Sequence, residues 1–177
     1  MTRLVIVCML GGQAAKVINS LRKKYDEESA TAIDAHVTLA GLCDTDLTVK
    51  KISKIISQIA SNTSPFKLTI TGVDTFLPIS ATSFIQIEPK EKLIILHDKL
   101  ITQLNWQEPF PYKSHVTITE YLTTEKTMNV VDQLRTMKIH ETDIFDTISL
   151  LQKNNEGRWK PLLKFHVGNV DWRIVNV

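Results

Sequence analysis

Short apolar runs alternate with longer amphipathic stretches along the chain. Arg3 to Met9 is a continuous aliphatic run, which reads as a buried strand. Gly11-Gly12 breaks it. From Ala14 to Tyr25 the apolar residues Ala14, Val17, Ile18, Leu21 and Tyr25 fall on one face of a helix. Arg22, Lys23 and Lys24 close that helix, where cations suit the carboxyl end. Asp26 to Asp34 reads as a polar loop, followed by a short strand at Ala35-His36-Val37-Thr38-Leu39. Gly41 to Asp46 reads as a turn with Asp44 or Thr45 as a helix cap. Leu47 to Ala60 is a helix that buries Val49, Ile52, Ile55, Ile56 and Ile59. Phe66 to Thr71 is a strand turned by Gly72-Val73-Asp74, and Phe76 to Ile79 is a short strand interrupted by Pro78. Ser83 to Glu88 alternates with the period of a strand. Pro89 then opens a helix from about Lys90 to Leu104.

Asn105 to Lys113 is a loop rich in proline and aromatic residues, leading into a second short strand, Ser114-His115-Val116-Thr117-Ile118. Thr123 or Thr124 caps a helix through about Arg135. Ile144 to Gln152 reads as one strand, Asn154 to Gly157 as a hairpin turn, and Trp159 to Val167 as the returning strand. Asp171 to Val177 is a short tail with room for one more strand. The order is strand, helix, His strand, helix, strand, strand, then helix, His strand, helix, strand, strand. That two-fold echo, with hairpins, predicts an α+β protein. Antiparallel sheets in two similar lobes that face each other across a central cleft fit this pattern. Residues 1–177 are expected to form a single domain with one His strand per lobe.

The five-residue echo carries the chemistry. In a strand, successive side chains point to opposite faces. Val37 and Leu39 therefore enter a core while His36 and Thr38 share the other face, and the same holds for Val116 and Ile118 against His115 and Thr117. Two such strands brought together present two imidazoles and two hydroxyls in one cleft. Cleaving a phosphate ester needs a base for the nucleophile and an acid for the leaving oxygen, and histidine can serve as either. Threonine hydroxyls can donate to the non-bridging oxygens, where charge develops. This logic calls for no metal and no cofactor.

Composition narrows the setting. The chain has 177 residues, 43% hydrophobic and 23% charged, enough for a real core and unlike a disordered segment. A net charge of +2 is too mild for wrapping a duplex but does not oppose an anionic substrate. Cys8 and Cys43 are too few and too far apart for a disulfide framework or zinc site and read as reduced thiols. No convincing signal peptide or membrane span is present, so a cytoplasmic protein with no membrane partner is expected. A monomer is the favoured state. No nucleotide-binding glycine fingerprint or zinc spacing appears.

The two motifs, His36-Val37-Thr38-Leu39 and His115-Val116-Thr117-Ile118, resemble the signature of the two-histidine (2H) phosphoesterase superfamily, which includes the 2′-5′ RNA ligase-like (LigT-like) proteins. Arg22-Lys23-Lys24-Tyr25-Asp26, together with the stretch from Leu150-Leu151-Gln152 through Asn155-Glu156-Gly157-Arg158-Trp159, is similar to its YjcG-like bacterial branch. The resemblance implies a bilobal, duplicated fold of two antiparallel sheets facing a central cleft with helices outside, and metal-independent hydrolysis of cyclic phosphates or 2′-5′ linkages in RNA ends, oligonucleotides or small cyclic nucleotides. It makes His36 and His115 the acid and base, in unassigned order, and Thr38 and Thr117 the phosphate holders. Many relatives carry an Arg or Lys shortly after a motif. Here Ala40-Gly41 and Thr119-Glu120 stand there, and Lys113 is the candidate substitute.

Tyr112 and Phe110, on the loop before the second motif, are candidates to stack a base. Trp159 can stack as well, although a tryptophan after a hairpin turn usually packs on its own sheet. His97, His140 and His166 read as ordinary surface or half-buried residues. Two alternatives stay open beside the RNA-end reading: a hydrolase of cyclic nucleotide or oligonucleotide signals, and a nucleotide- or RNA-binding module without turnover.

Overall fold

The computed structural model describes residues 3–44, 46–108 and 110–168. Its elements run β1 (Arg3–Met9), α1 (Gly12–Tyr25), α2 (Glu27–Ala32), β2 (His36–Asp44), α3 (Val49–Ser61), β3 (Phe66–Thr75) and β4 (Ser83–Glu88). They continue with α4 (Lys90–Leu104), β5 (His115–Thr119), α5 (Thr124–Thr136), β6 (Thr142–Phe145), β7 (Thr147–Lys153) and β8 (Trp159–His166). The strands form two antiparallel sheets in the orders β2-β1-β7-β8 and β5-β4-β3-β6. The strand bearing each His motif is an edge strand of its sheet. Each is reached the same way, from its neighbour through a helix: β1 through α1 and α2 to β2, and β4 through α4 to β5.

The two sheets are not the two halves of the sequence. β3 and β4 precede the second motif yet lie in its sheet, while β7 and β8 return to the sheet of the first. The helices interleave as well. α1, which leaves β1, packs on β5 and β6 of the other sheet, and α4, which leaves β4, packs on β2. α3 covers β7 and β8, and α5 covers β3 and β4. Each sheet thus buries one face under helices, leaving the opposite faces of β2 and β5 to meet.

Several expected boundaries shift for physical reasons. The stretch expected as a polar loop at 26–34 contains α2, because the Asp26 side chain accepts from Ser29 N at 3.1 Å and caps a new helix. The expected turn at 72–74 is strand. A register shift between Ile70 and Gly72 carries β3 onward, and a Cβ at Gly72 would lie 3.0 Å from Gln86 Oε1. Phe76 to Ile79 forms no strand; Ile79 N and Ser80 N both donate to Phe76 O in a turn. The single strand expected over 144–152 is two strands in different sheets. Phe145 stacks on Phe66 at 4.6 Å in one, Thr147 pairs with His166 in the other, and Asp146 makes the crossing. β2 runs through Gly41 to Asp44, so Thr48 caps α3 by accepting from Lys51 N at 3.3 Å. The Thr45 cap and the tail strand at 171–177 lie outside the described residues. Among the described residues no helix is long and apolar enough to cross a membrane.

Candidate active site

Period-two alternation holds in both motif strands. Val37, Leu39, Val116 and Ile118 are fully buried, and His36, Thr38, His115 and Thr117 are half-buried. β2 and β5 come into contact, and the four polar residues line one cavity of about 980 Å³. A cavity of that size exceeds what a phosphate group needs and lies within the range of small-molecule sites.

The two imidazoles are held alike. His36 Nδ1–H donates to Asp34 O at 2.8 Å, and His115 Nδ1–H donates to Lys113 O at 2.6 Å. In each case the acceptor is the carbonyl two residues upstream. A carbonyl can only accept, so each neutral ring carries its proton on Nδ1 and leaves Nε2 unprotonated. Burial is the main cause that pulls the His36 pKa from 6.5 down to about 4, with the Arg22 and His115 charges adding to it. His115 is lowered first by burial and then by Lys113. The edges of Phe76 and Phe84 box it in, with centroids 4.9 and 5.3 Å from its ring.

Arg22 is the residue that a plain reading of the helix misses. It is not a solvated cation at the end of α1 but a side chain 1% exposed that lines the cavity. Its Nη1 donates to Thr117 O at 2.8 Å, and its Nη2 donates to Ser29 O at 2.9 Å and Ile33 O at 2.8 Å. One guanidinium thus ties the second motif to the segment that delivers the first. The signal was present in the spacing: Ala14, Ile18 and Arg22 form one stripe four residues apart, and these are the buried residues of α1. Lys23 and Lys24 are exposed, as a carboxyl-end cation run should be. Asp26 continues the bridge, its Oδ2 accepting from Glu120 N at 2.8 Å.

Lys113, Tyr112 and Phe110 are not among the residues that line the cavity. Lys113 pairs with Asp74 at 3.0 Å and lies over the Phe84 ring at 4.6 Å. Phe110 is exposed. Tyr112 donates from its hydroxyl to Thr38 O at 2.8 Å and stacks on His97 at 3.9 Å. His97, expected near the surface, is 3% exposed and donates from Nδ1 to Leu39 O at 2.8 Å. Beside them Gly41 N donates to the Glu108 carboxylate. A Cβ at Gly41 would sit 2.6 Å from that oxygen, so no larger residue fits there without displacing Glu108. The far wall of the cavity comes from the β7–β8 hairpin, through Lys153, Arg158 and Trp159.

Comparison with known proteins identifies the family. Residues 11–157 match the family model described as the 2′-5′ RNA ligase superfamily. A Geobacillus kaustophilus protein that bears the provisional name of phosphoesterase is 32% identical over 152 residues, 85% of this chain and 87% of its own. A similarly named protein of Bacillus pumilus is 28% identical over 154 residues, 86% of this chain and 90% of its own. The crystal structure of E. coli LigT with NADP+ superposes with a TM-score of 0.64 at 19% identity, covering 95% of this chain and 99% of LigT. LigT with 3′-AMP gives 0.58 at 18% identity over 95% and 99%. With both motifs on facing edge strands and the family model spanning most of its length, this chain belongs to the 2′-5′ RNA ligase superfamily of two-histidine phosphoesterases.

Proposed function

We propose that the protein is a phosphodiesterase that hydrolyses 2′,3′-cyclic phosphates or 2′-5′ linkages in RNA ends or small nucleotides by metal-independent acid–base catalysis. The observation that carries this reading is the matched pair of imidazoles, each with Nδ1–H on a carbonyl and Nε2 left for the substrate. His36 is the base. Burial first, and then the charge of Arg22, which has no carboxylate at ion-pair distance among the described residues, keep the ring neutral. His115 is the acid. Its neighbouring cation, Lys113, is paired by Asp74, so the negative charge of a bound substrate favours the protonated form of this ring.

In the reaction, His36 Nε2 takes a proton from water as the water oxygen bonds to phosphorus. The bond from phosphorus to one ribose oxygen breaks, and His115 Nε2–H supplies that oxygen's proton. Thr38 and Thr117 donate to the non-bridging oxygens as charge builds. The products are a phosphate monoester and a free hydroxyl, and the two rings exchange their proton difference through solvent. Tyr112, His97 and Glu108 act as positioning residues for β2. E. coli LigT has been solved with 3′-AMP, ATP and NADP+, which supports a small nucleotide as ligand. A cytoplasmic location is part of this reading.

The test is a panel of 2′,3′-cyclic nucleotides and of 2′-5′- and 3′-5′-linked dinucleotides, assayed with chelator present. We expect turnover on the first two classes and losses of about 10²–10⁴-fold for His36→Ala or His115→Ala. Thr38→Val and Thr117→Val should each lose about 10²-fold. Full activity in either histidine variant refutes the mechanism. Saturable nucleotide binding without product, unchanged in His36→Ala, would instead indicate a binding module.

A further inference from the structure

The cavity is lopsided. On the β5 sheet, Phe76 and Phe84 pack against His115 and close that side. Toward the other sheet the cavity continues past Val5 to the end of the β7–β8 hairpin. There Lys153 and Trp159 face each other in register, with Lys153 Nζ 5.8 Å from the indole centroid. Trp159 packs on the apolar cluster of Val5, Val7 and Leu151, so this wall is fixed by packing. Arg158 lines the same end, exposed, and among the described residues neither cation forms an ion pair. Hydrolysis at the histidines gives these charges no task.

We propose that Lys153 and Arg158 form a second phosphate subsite, so that the ligand is a nucleotide bearing another phosphate besides the one held between His36 and His115. The inference rests on the phosphodiester reading of the histidine pair. Register gives the separation. Thr38 pairs with Val7 and Val7 with Ser149, two strands across, and Lys153 lies four residues further along β7. With strands ~4.8 Å apart and ~3.4 Å per residue, the Cα positions of Thr38 and Lys153 are roughly 17 Å apart. A nucleoside with a phosphate at each end can bridge this span once the long lysine and arginine side chains reach inward. Charge also limits the ligand. Glu28, Glu120 and Glu156 line the same cavity, which disfavours a long polyanion and favours one extra phosphate at one defined place.

Calorimetry at fixed ionic strength tests this with adenosine 3′-monophosphate and adenosine 3′,5′-bisphosphate as probes. We expect the bisphosphate to bind about tenfold to a hundredfold more tightly than the monophosphate. In Lys153→Gln/Arg158→Gln that preference should fall to about onefold with monophosphate affinity kept. Lys50→Gln/Lys54→Gln, which removes the same charge from exposed positions of α3, should retain it. Equal affinities in the wild type, or a preference that survives in Lys153→Gln/Arg158→Gln, overturn the subsite while leaving the histidine site standing. Binding of neither probe overturns both.

Discussion

Arg22 is a buried charge that ties the second motif to the segment leading into the first. Its guanidinium is spent on three backbone carbonyls, yet its charge remains beside His36. Replacing it with methionine should cost about 2–4 kcal/mol of stability, because the carbonyls lose their donors inside the protein. A gentler variant, Arg22→Gln, isolates the charge. NMR titration of the wild type should show His36 far below 6.5, and in Arg22→Gln its pKa should move up. An unchanged or lowered value would mean that burial alone sets it. This residue also marks where the sequence was hardest to read. The four-residue stripe through Ala14 and Ile18 pointed inward at Arg22, but three consecutive cations at a helix end have an ordinary explanation. Only tertiary structure reveals that the first faces carbonyls and the next two face water. The histidines and threonines were legible because a strand motif states its own facing, and a repeated motif states it twice.

Among the elements, those with one strong local signal kept their expected bounds: β1 and β4 by apolar pattern, α4 by Pro89 and its periodicity. Elements whose limits depend on a distant partner did not. β3 passes through Gly72 because β4 continues to pair with it, and the run at 144–152 divides because its two ends serve different sheets. The N-terminus of α1 is another such case. Gly11 offers no capping side chain, and Asp143, at β6, accepts from Gly11 N at 2.6 Å. Asp143→Ala should therefore cost about 1 kcal/mol, measured by urea denaturation, although the two residues are remote in sequence. On the other side of the cleft, Tyr112→Phe removes the hydroxyl that holds Thr38 O. It should lose about 1 kcal/mol of stability and lower kcat more than it raises KM. An effect on KM alone would make Tyr112 a ligand contact instead.

Across the whole molecule, the interleaving of helices explains why two edge strands can form a stable site. α1 holds β5, α4 holds β2, and each sheet is braced by a helix that departs from the other. The same burial that shapes the cleft makes stability depend on pH. The folded His36 value of about 4 lies below its ordinary 6.5, so on acidification the unfolded chain takes up the proton first. His36 thus contributes stability above pH 6.5 that is lost as the pH falls toward 4, and His115 shifts in the same direction. His36→Asn, whose amide can still donate to Asp34 O, should flatten urea midpoints over that window. A slope as steep as the wild type would place the acid sensitivity elsewhere.

The most direct test of divided roles for the two histidines is a leaving-group comparison. Wild type, His36→Asn and His115→Asn would be assayed, with chelator, on a ribose-linked phosphodiester and on its p-nitrophenyl counterpart, whose leaving group needs no proton. His115→Asn should lose about 10²–10⁴-fold on the first and recover most of that on the second, while His36→Asn stays impaired on both. Equal losses on both substrates for His115→Asn, or recovery by His36→Asn instead, would contradict the assignment of His36 as base and His115 as acid.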